Sequence, residues 1–458
     1  MLKVFGHSMP VKMLLLGMAE ILAIALVLDW LLSAGVQPSL ISADLRGEFV
    51  QTSVIFAGIA VLSMFAMGLY DSTTISDYRG TATKTLVALL LIVPANLAAI
   101  WVFHDALYAS DNSRAWWIIK APAVWMAVIL FTRFVCNHAL RTAAFKRRVF
   151  VLGEGTKASS IRGWVSQGLN HYFEVVGYYE PAHAPTDAAA GSWVEEVKAL
   201  KASEIVVAVD DRRGLPVDEL LAARMNGLAV IDYQTFCERE TGRLDLEALQ
   251  PSWLIFSSGF TQGAISAAVK RAFDIIVASA MLILTLPLML ITAVLIKAES
   301  EGPIFYRQER VGLNGRSFNV LKFRSMRVDA EKAGVQWARA NDNRVTRVGA
   351  FIRKVRIDEL PQLLNVLKDD MSFIGPRPER PFFVEQLTQA IPFYRERHSV
   401  KPGITGWAQV NYPYGASLED ARNKLSYDLY YVKNRSLFLD LIILISTVRV
   451  ILLQEGAR

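Results

Sequence analysis

Apolar residues gather into four stretches near the N-terminus, at about 11–32, 49–70, 84–103 and 115–136. Each is close to the ~20 residues that a helix needs to cross bilayer hydrocarbon, so the pattern predicts four membrane spans in an N-terminal domain, 1–145. After Arg147-Arg148 the pattern changes. Short β-branched runs at Val149–Leu152, Phe173–Tyr179, Glu204–Val209 and Leu228–Ile231 alternate with helical stretches, which predicts a parallel α/β, Rossmann-like domain over 146–262. A fifth apolar run, Ile275–Ile296, holds 22 residues without a charge and carries Pro287 near its centre.

Basic residues orient the spans. Lys3 and Lys12 precede the first, Arg79 and Lys84 separate the second from the third, and Arg133, Arg141, Lys146, Arg147 and Arg148 cluster at the end of the fourth. The remaining loops hold only Arg46 and Arg114, so the N-terminus and everything after residue 145 are expected in the cytoplasm. The first span begins too late for a removable signal peptide. A fifth crossing would export a strongly basic segment, and Pro287 deletes a helical hydrogen bond where it sits. The expectation for 273–297 is therefore a re-entrant membrane helix broken at Pro287, with Thr285 or its neighbours satisfying the freed carbonyls. Glu20 and Asp29 in the first span, and Pro94 with Asn96 in the third, read either as packing groups between helices or as ion or lipid contacts.

Composition sharpens the picture. The chain has 458 residues, 53% hydrophobic and 20% charged, which excludes a disordered or collagen-like protein. Residues 1–263 carry 21 Lys+Arg against 24 Asp+Glu, while 264–458 carry 28 against 19. The basic excess of the C-terminal part points to an anionic partner. Two cysteines, Cys136 and Cys237, give no disulfide framework and fit a reducing compartment.

Candidate chemistry lies in two places. The turn Gly153-Glu-Gly155-Thr-Lys-Ala158 matches a G-x-G-x-x-G/A pattern, with Glu180 beyond the next strand placed to hold a ribose. The same glycines serve a tight strand-to-helix turn that binds nothing. A membrane-anchored NAD-dependent nucleotide-sugar dehydratase or epimerase is the alternative this turn raises. No tyrosine in the chain has lysine four residues later, as that chemistry expects.

The richer segment is C-terminal. Lys322-Phe-Arg324-Ser-Met326 is followed by Arg353-Lys-Val-Arg356-Ile-Asp358-Glu359-Leu-Pro361-Gln, in which Pro361 suits the first turn of a helix continued by Leu363, Leu364 and Leu367. Two adjacent carboxylates among cations can divide the work, one attacking and one binding a divalent cation, although an isolated Asp at that place is an ordinary cap. Gly375-Pro376-Arg377-Pro378 locks the backbone on both sides of a guanidinium, as a phosphate clamp requires. Lys401-Pro-Gly-Ile-Thr-Gly-Trp407-Ala-Gln-Val-Asn411 is a glycine-punctuated turn whose Trp407 reads as packing before it reads as a stacking platform. The run Leu437–Leu453, interrupted by Asp440 and Arg449, reads as an interfacial or core helix.

Together these motifs, in this order, cover nearly all of 264–458 and resemble the polyprenyl-phosphate hexose-1-phosphate transferases, the monotopic phosphoglycosyl transferases of bacteria. The four spans and Rossmann-like domain resemble the large, exopolysaccharide-initiating subgroup, and Thr235-Phe-Cys-Glu-Arg-Glu-Thr-Gly through Trp253-Leu-Ile-Phe is similar to its EpsB-like branch. The resemblance implies an α+β catalytic domain over 263–458 in a multi-pass protein of the bacterial inner membrane, with its site on the cytoplasmic face. It also implies transfer of a sugar-1-phosphate from a UDP-sugar to undecaprenyl phosphate, with UMP released. Asp358 is then the nucleophile, Glu359 the Mg²⁺ ligand, and Lys322, Arg324, Arg353 and Arg377 the phosphate contacts. Implied partners are the UDP-sugar, undecaprenyl phosphate and membrane lipids, but no nucleic acid. A homo-oligomer and exopolysaccharide assembly proteins stay open, as does the sugar.

Overall fold

A computed structural model describes residues 2–4, 7–9, 11–34, 43–66, 69, 85, 88, 92, 127–132, 134–135, 146–168, 173–180, 192–213, 215–257, 259–260, 263–327, 344–413, 415 and 417–453. The chain divides into two compact units, one running Met9–Glu240 and the other Thr241–Arg458, with short N-terminal pieces assigned to each. The division falls at 240/241, whereas the chain pattern placed it at 262/263. The physical reason is that 241–256 packs on the C-terminal core. Leu244 and Leu249 are buried in it, and Trp407 Nε1 donates to the Gly242 carbonyl at 2.7 Å.

In the first unit, helices α1 (Val11–Ala34) and α2 (Ala43–Ala66) pack together. At 24 residues each, or about 36 Å, both are long enough to cross hydrocarbon. The second starts six residues earlier than its apolar run, because its first turns are polar. Glu20 is buried, and its carboxylate accepts a hydrogen bond from the Thr132 hydroxyl at 2.7 Å, the packing role of the two expected for it. Most of the third and fourth expected spans, including Pro94 and Asn96, lies outside the described residues.

The same unit contains a four-stranded, all-parallel sheet from β1 (Arg147–Leu152), β2 (Phe173–Tyr179), β3 (Glu204–Val207) and β4 (Ala229–Asp232), in the order β2-β1-β3-β4. Helices α3 (Thr156–Ser166), α4 (Ser192–Ala199), α5 (Val217–Met225) and α6 (Tyr233–Thr241) accompany it. A register shift between Val149 and Phe150 brings Gly177 opposite Phe150, which is fully buried. A Cβ at Gly177 would come within 2.6 Å of that ring. Arg147, counted in the basic flank of the last span, donates to Glu204 at 2.9 Å and to Glu240 at 2.6 Å.

In the second unit α7 (Pro251–Phe256) leads to α8 (Ala264–Glu299), a single helix of 36 residues. Among the described residues it is the one helix long and apolar enough to cross a membrane. Pro287 does not break it, contrary to the sequence expectation. Proline removes one hydrogen bond to the carbonyl four residues back, and the bonds on either side suffice to continue the helix. Thr285 donates to Met281 O at 2.7 Å, not to the carbonyl that Pro287 releases, and Thr292 donates to Leu288 O at 2.8 Å.

Both ends of α8 are fixed to the same globular core. At the N-terminal end Asp274 accepts from Ser372 Oγ (2.8 Å) and from Phe373 N (3.1 Å), and Arg271 donates to Val366 O (2.7 Å) and Leu367 O (3.0 Å). At the C-terminal end Met289 and Ile296 pack with Phe323 and Ile352. Glu299 accepts from the amides of Arg347 (2.7 Å) and Val348 (3.0 Å), the first turn of α9 (Arg347–Lys354). Leu282 and Leu360 pack against both buried clusters, so the two anchorages belong to one body. Between them Ile283, Leu284, Leu290, Ile291 and Val294 are exposed.

The antiparallel hairpin of β5 (Phe305–Val311) and β6 (Ser317–Phe323) follows. After α9 come α10 (Gln362–Leu367), β7 (Ser372–Ile374), α11 (Pro381–Ala390), β8 (Gly403–Thr405) paired parallel to β7, α12 (Trp407–Asn411), α13 (Leu418–Asn434) and α14 (Leu437–Leu453). The last is a core helix. Leu439 and Ile443 are fully buried, and Asp440 meets Lys270 at 3.1 Å and the Tyr431 hydroxyl at 2.8 Å.

Gly177→Ala should lower the stability of the sheet unit by about 1–3 kcal/mol, because Phe150 has nowhere to retreat. Thermal unfolding followed by limited proteolysis within 146–240 reads this. Unchanged protection would contradict the packing described.

Candidate functional site

The site is built where β6 meets the segment between α9 and α10. Asn365 on α10 behaves as an extra strand residue, its Oδ1 accepting from Leu321 N (2.9 Å) and its Nδ2 donating to Asn319 O (2.8 Å). That clasp fixes the height of 357–367 against β6. Upstream, Thr346 caps α9 by accepting from Gly349 N at 2.9 Å. The chain then reverses at Arg356, a non-glycine residue in the left-handed region at φ 61°. Such a conformation costs on the order of 1–3 kcal/mol and persists only where surrounding packing enforces it. It turns the single 3₁₀ turn Ile357–Glu359 inward, and Asp358 and Glu359 are both only 8% exposed.

The two carboxylates are treated differently. Glu359 Oε1 accepts from Arg377 Nη2 at 2.7 Å and from Lys322 Nζ at 3.0 Å, and lies 3.8 Å from Arg356 Nη1. Burial would raise its pKa, but Arg377, Lys322 and Arg356 outweigh burial and hold Glu359 well below the usual carboxylate range. Asp358 has no hydrogen-bond partner for its carboxylate among the described residues. Burial first, and the Glu359 charge second, push its pKa up against the pull of Lys322, Arg353 and Arg356. Burial also lowers the Lys322 ammonium, opposed by Glu359. One carboxylate is thus fixed and anionic. Its neighbour is unbonded, more basic and surrounded by cations, as a nucleophile facing an anionic substrate must be.

Of the residues singled out in the sequence, the structure brings together Asp358, Glu359, Lys322, Arg353 and Arg377. Arg353 reaches the cluster from α9, its Nε donating to Ser325 Oγ at 2.9 Å. Arg356, which the sequence places with Arg353 just upstream of the two carboxylates, joins them. Arg324 stands apart. It is buried, with Nη1 donating to Glu301 O (2.6 Å) and Nη2 to Ser300 O (2.8 Å), so it ties down the end of α8 instead of facing a phosphate. Trp407 is packing. It stacks on Tyr430 at 5.9 Å and holds Gly242.

Gly153 and Gly155 belong to the first unit. Both have positive φ (135° and 97°) in the turn between β1 and α3. A Cβ on Gly153 would strike the Ala208 main chain, and one on Gly155 the Asp210 carboxylate. Asp210 accepts from Thr156 N at 2.8 Å and from the Thr156 hydroxyl at 3.1 Å. The seat an anion would take at the start of α3 holds a carboxylate of the chain itself, and close approach of the Ala208 main chain and of that carboxylate explains the two glycines.

Among the described residues no group of three or more His, Cys, Asp or Glu side chains is placed to hold a metal ion. Asp358 and Glu359 remain as a pair, with one Glu359 oxygen engaged by Arg377 and Lys322. That donor set fits Mg²⁺, which binds through one or two carboxylates plus waters and substrate phosphates, and does not fit a metal that needs a full protein cage.

The raised pKa of Asp358 has a stability consequence. Its contribution to folding is fully present below the ordinary carboxylate range and is lost as pH rises through its elevated folded-state value. Asp358→Asn should therefore melt above the parent chain at pH about 7–8, with the difference closing near pH about 4. A variant that melts lower at neutral pH would contradict the burial-dominated environment.

The residues of this site fall within 265–454, the stretch matched by a family model described as bacterial sugar transferase. A UDP-N-acetylgalactosamine-undecaprenyl-phosphate N-acetylgalactosaminephosphotransferase of Aeromonas hydrophila is 49% identical over 231 residues, 50% of this chain and 54% of that protein. A UDP-glucose:undecaprenyl-phosphate glucose-1-phosphate transferase of Escherichia coli (strain K12) is 32% identical over 391 residues, 81% of this chain and 83% of its own. A protein of the same name from Klebsiella pneumoniae is 37% identical over 350 residues, covering 72% and 73%. The chain thus spans about half the length of the Aeromonas relative and most of the other two. Because that similarity runs far beyond the acid pair and through most of two relatives, the chain belongs to the bacterial sugar transferase family.

Proposed function

We propose that this protein transfers a sugar-1-phosphate from a UDP-sugar to undecaprenyl phosphate, giving undecaprenyl-diphosphate-sugar and UMP, as the first membrane step of exopolysaccharide assembly. The names of its relatives support the donor and acceptor classes. The observation that carries the chemistry is the unequal acid pair, Glu359 pinned by Arg377 and Lys322 beside an unbonded Asp358.

A carboxylate oxygen of Asp358 bonds to the sugar-bearing phosphorus of the UDP-sugar. The bond from that phosphorus to the bridging oxygen breaks, and UMP leaves with the electron pair. A phosphate oxygen of undecaprenyl phosphate then bonds to the same phosphorus, the acyl phosphate bond breaks, and the Asp358 carboxylate is restored. Lys322, Arg353, Arg356 and Arg377 bind and orient the phosphates and offset the negative charge that gathers at phosphorus. Glu359 would hold Mg²⁺ together with the diphosphate, and the ion when bound supplies further charge neutralisation there.

The membrane arrangement belongs to the same reading. The four apolar runs form a transmembrane bundle of the bacterial inner membrane, the middle domain is a Rossmann-like scaffold, and the site faces the cytoplasm. Helix α8, continuous but bent at Pro287, dips into the cytoplasmic leaflet and returns, an arrangement that its attachment to one core at both ends supports. From Asp274 to Glu299 a straight helix would run about 38 Å, more than the ~30 Å of hydrocarbon, and a crossing would pull one anchorage away from the core.

Asp358→Asn should abolish UMP release, and no radiolabelled sugar-phosphate should be trapped on the variant. A labelled adduct on it would exclude Asp358 as the nucleophile. For the membrane arrangement, Ala268→Cys and Ala298→Cys, in a chain with Cys136 and Cys237 replaced, should react with an impermeant maleimide from the same face of sealed vesicles. Reaction from opposite faces would refute the re-entrant arrangement.

A further inference from the structure

The loop Gly375–Pro378 presents the Arg377 guanidinium to Glu359, yet two of its four residues have no amide hydrogen to anchor it. It is held by the Gly375 amide, which donates to Thr405 O at 2.9 Å, and by three carbonyls. Pro376 O accepts from Gly403 N at 3.0 Å, Arg377 O from Arg397 Nη2 at 3.0 Å, and Pro378 O from Arg310 Nη1 at 3.0 Å. The middle holder is the unusual one. Arg397, in the 3₁₀ segment Tyr394–Ser399, is only 5% exposed. Its Nη2 and Nε meet Asp428 Oδ2 at 2.7 and 3.0 Å, and its Nη1 donates to the Tyr394 hydroxyl at 2.8 Å. Asp428, on α13, is itself 2% exposed.

Burying such a pair is costly, and apolar side chains of similar volume often serve stability as well or better. Its charge is neutralised locally, so it adds little field at the acid pair. What it does provide is a rigid fork with one donor aimed at the main chain of Arg377. We propose that Arg397, oriented by Asp428 and Tyr394, is a positioning residue for the Arg377 clamp, acting through the Arg377 carbonyl and not through contact with substrate.

The proposal rests on the sugar-phosphate transfer reading for its kinetic readout and on ligand binding for an independent one. The experiment is a mutant cycle on the full chain in nanodiscs. One arm is Arg377→Ala. The other is the paired replacement Arg397→Met with Asp428→Leu, which removes both buried charges together and so spares the fold the penalty of an unpaired ion. Two quantities are followed: formation of the Asp358 adduct from UDP-sugar, and binding of UDP by calorimetry.

In the parent background Arg377→Ala should slow adduct formation about 100-fold, the usual scale for losing one donor to developing charge. In the Met/Leu background the same substitution should cost less than about 5-fold, because the clamp is already misplaced, and the effects on UDP binding should be non-additive in the same sense. If Arg377→Ala costs the same factor in both backgrounds, Arg397 and Asp428 are merely structural and the proposal fails. If the paired variant does not fold, Arg397→Lys takes its place in the cycle. It keeps the charge but cannot reach Asp428, Tyr394 and the carbonyl at once, and full additivity there overturns the proposal equally. A parent chain that releases no UMP from any UDP-sugar would refute the transferase reading, while the cycle on UDP binding would still decide the role of Arg397.

Discussion

The hydrogen bond from Arg377 to Glu359 is the interaction on which the rest of the site depends. It draws positive charge onto one carboxylate of an adjacent buried pair and leaves the other unbonded. Two neighbouring acids in a buried turn would ordinarily share a proton or repel each other. Here the repulsion is resolved asymmetrically, because Lys322, Arg356 and Arg377 all lie nearest Glu359. Asp358 keeps its basicity inside a field that still favours an approaching anion.

Much of the C-terminal unit can be understood as the framework for that asymmetry. Asn365 sets the acid turn against β6, the left-handed Arg356 turns it inward, and the carbonyl-held proline loop brings Arg377 from the opposite side. The long apolar helix is joined to the same framework at both ends. Asp274 holds β7, from which the proline loop emerges, and Glu299 caps α9, which carries Arg353. The one helix thus holds elements on both sides of the acid pair.

The sequence made the chemistry more legible than the geometry. Asp358-Glu359 before Pro361, with Lys322 and Arg377 in separate motifs, singles out side chains that the fold brings together, because acids and cations recur there in one set of glycine- and proline-punctuated motifs. Arg324 misleads for the opposite reason. In a strand-like run of alternating cations nothing local shows which one faces the site and which one binds the carbonyls at the end of α8. Gly153 and Gly155 fit a phosphate turn by pattern, but the group that fills the seat, Asp210, comes from 54 residues beyond Thr156. Arg397 gives no signal, since two of its partners, Arg377 and Asp428, are 20 and 31 residues away and meet it only through the tertiary fold. Pro287 identified a vulnerable point in α8, yet a single missing hydrogen bond does not interrupt a helix whose two ends are anchored.

The most direct test of the central claim is rapid quench of the full chain with UDP-sugar in the absence of lipid acceptor, followed by peptide mass mapping. The account predicts a burst of UMP equal to the enzyme present and a sugar-phosphate mass increment on the peptide containing Asp358, discharged when undecaprenyl phosphate is added. Turnover that requires both substrates together, with no increment on any peptide at any quench time, would contradict it.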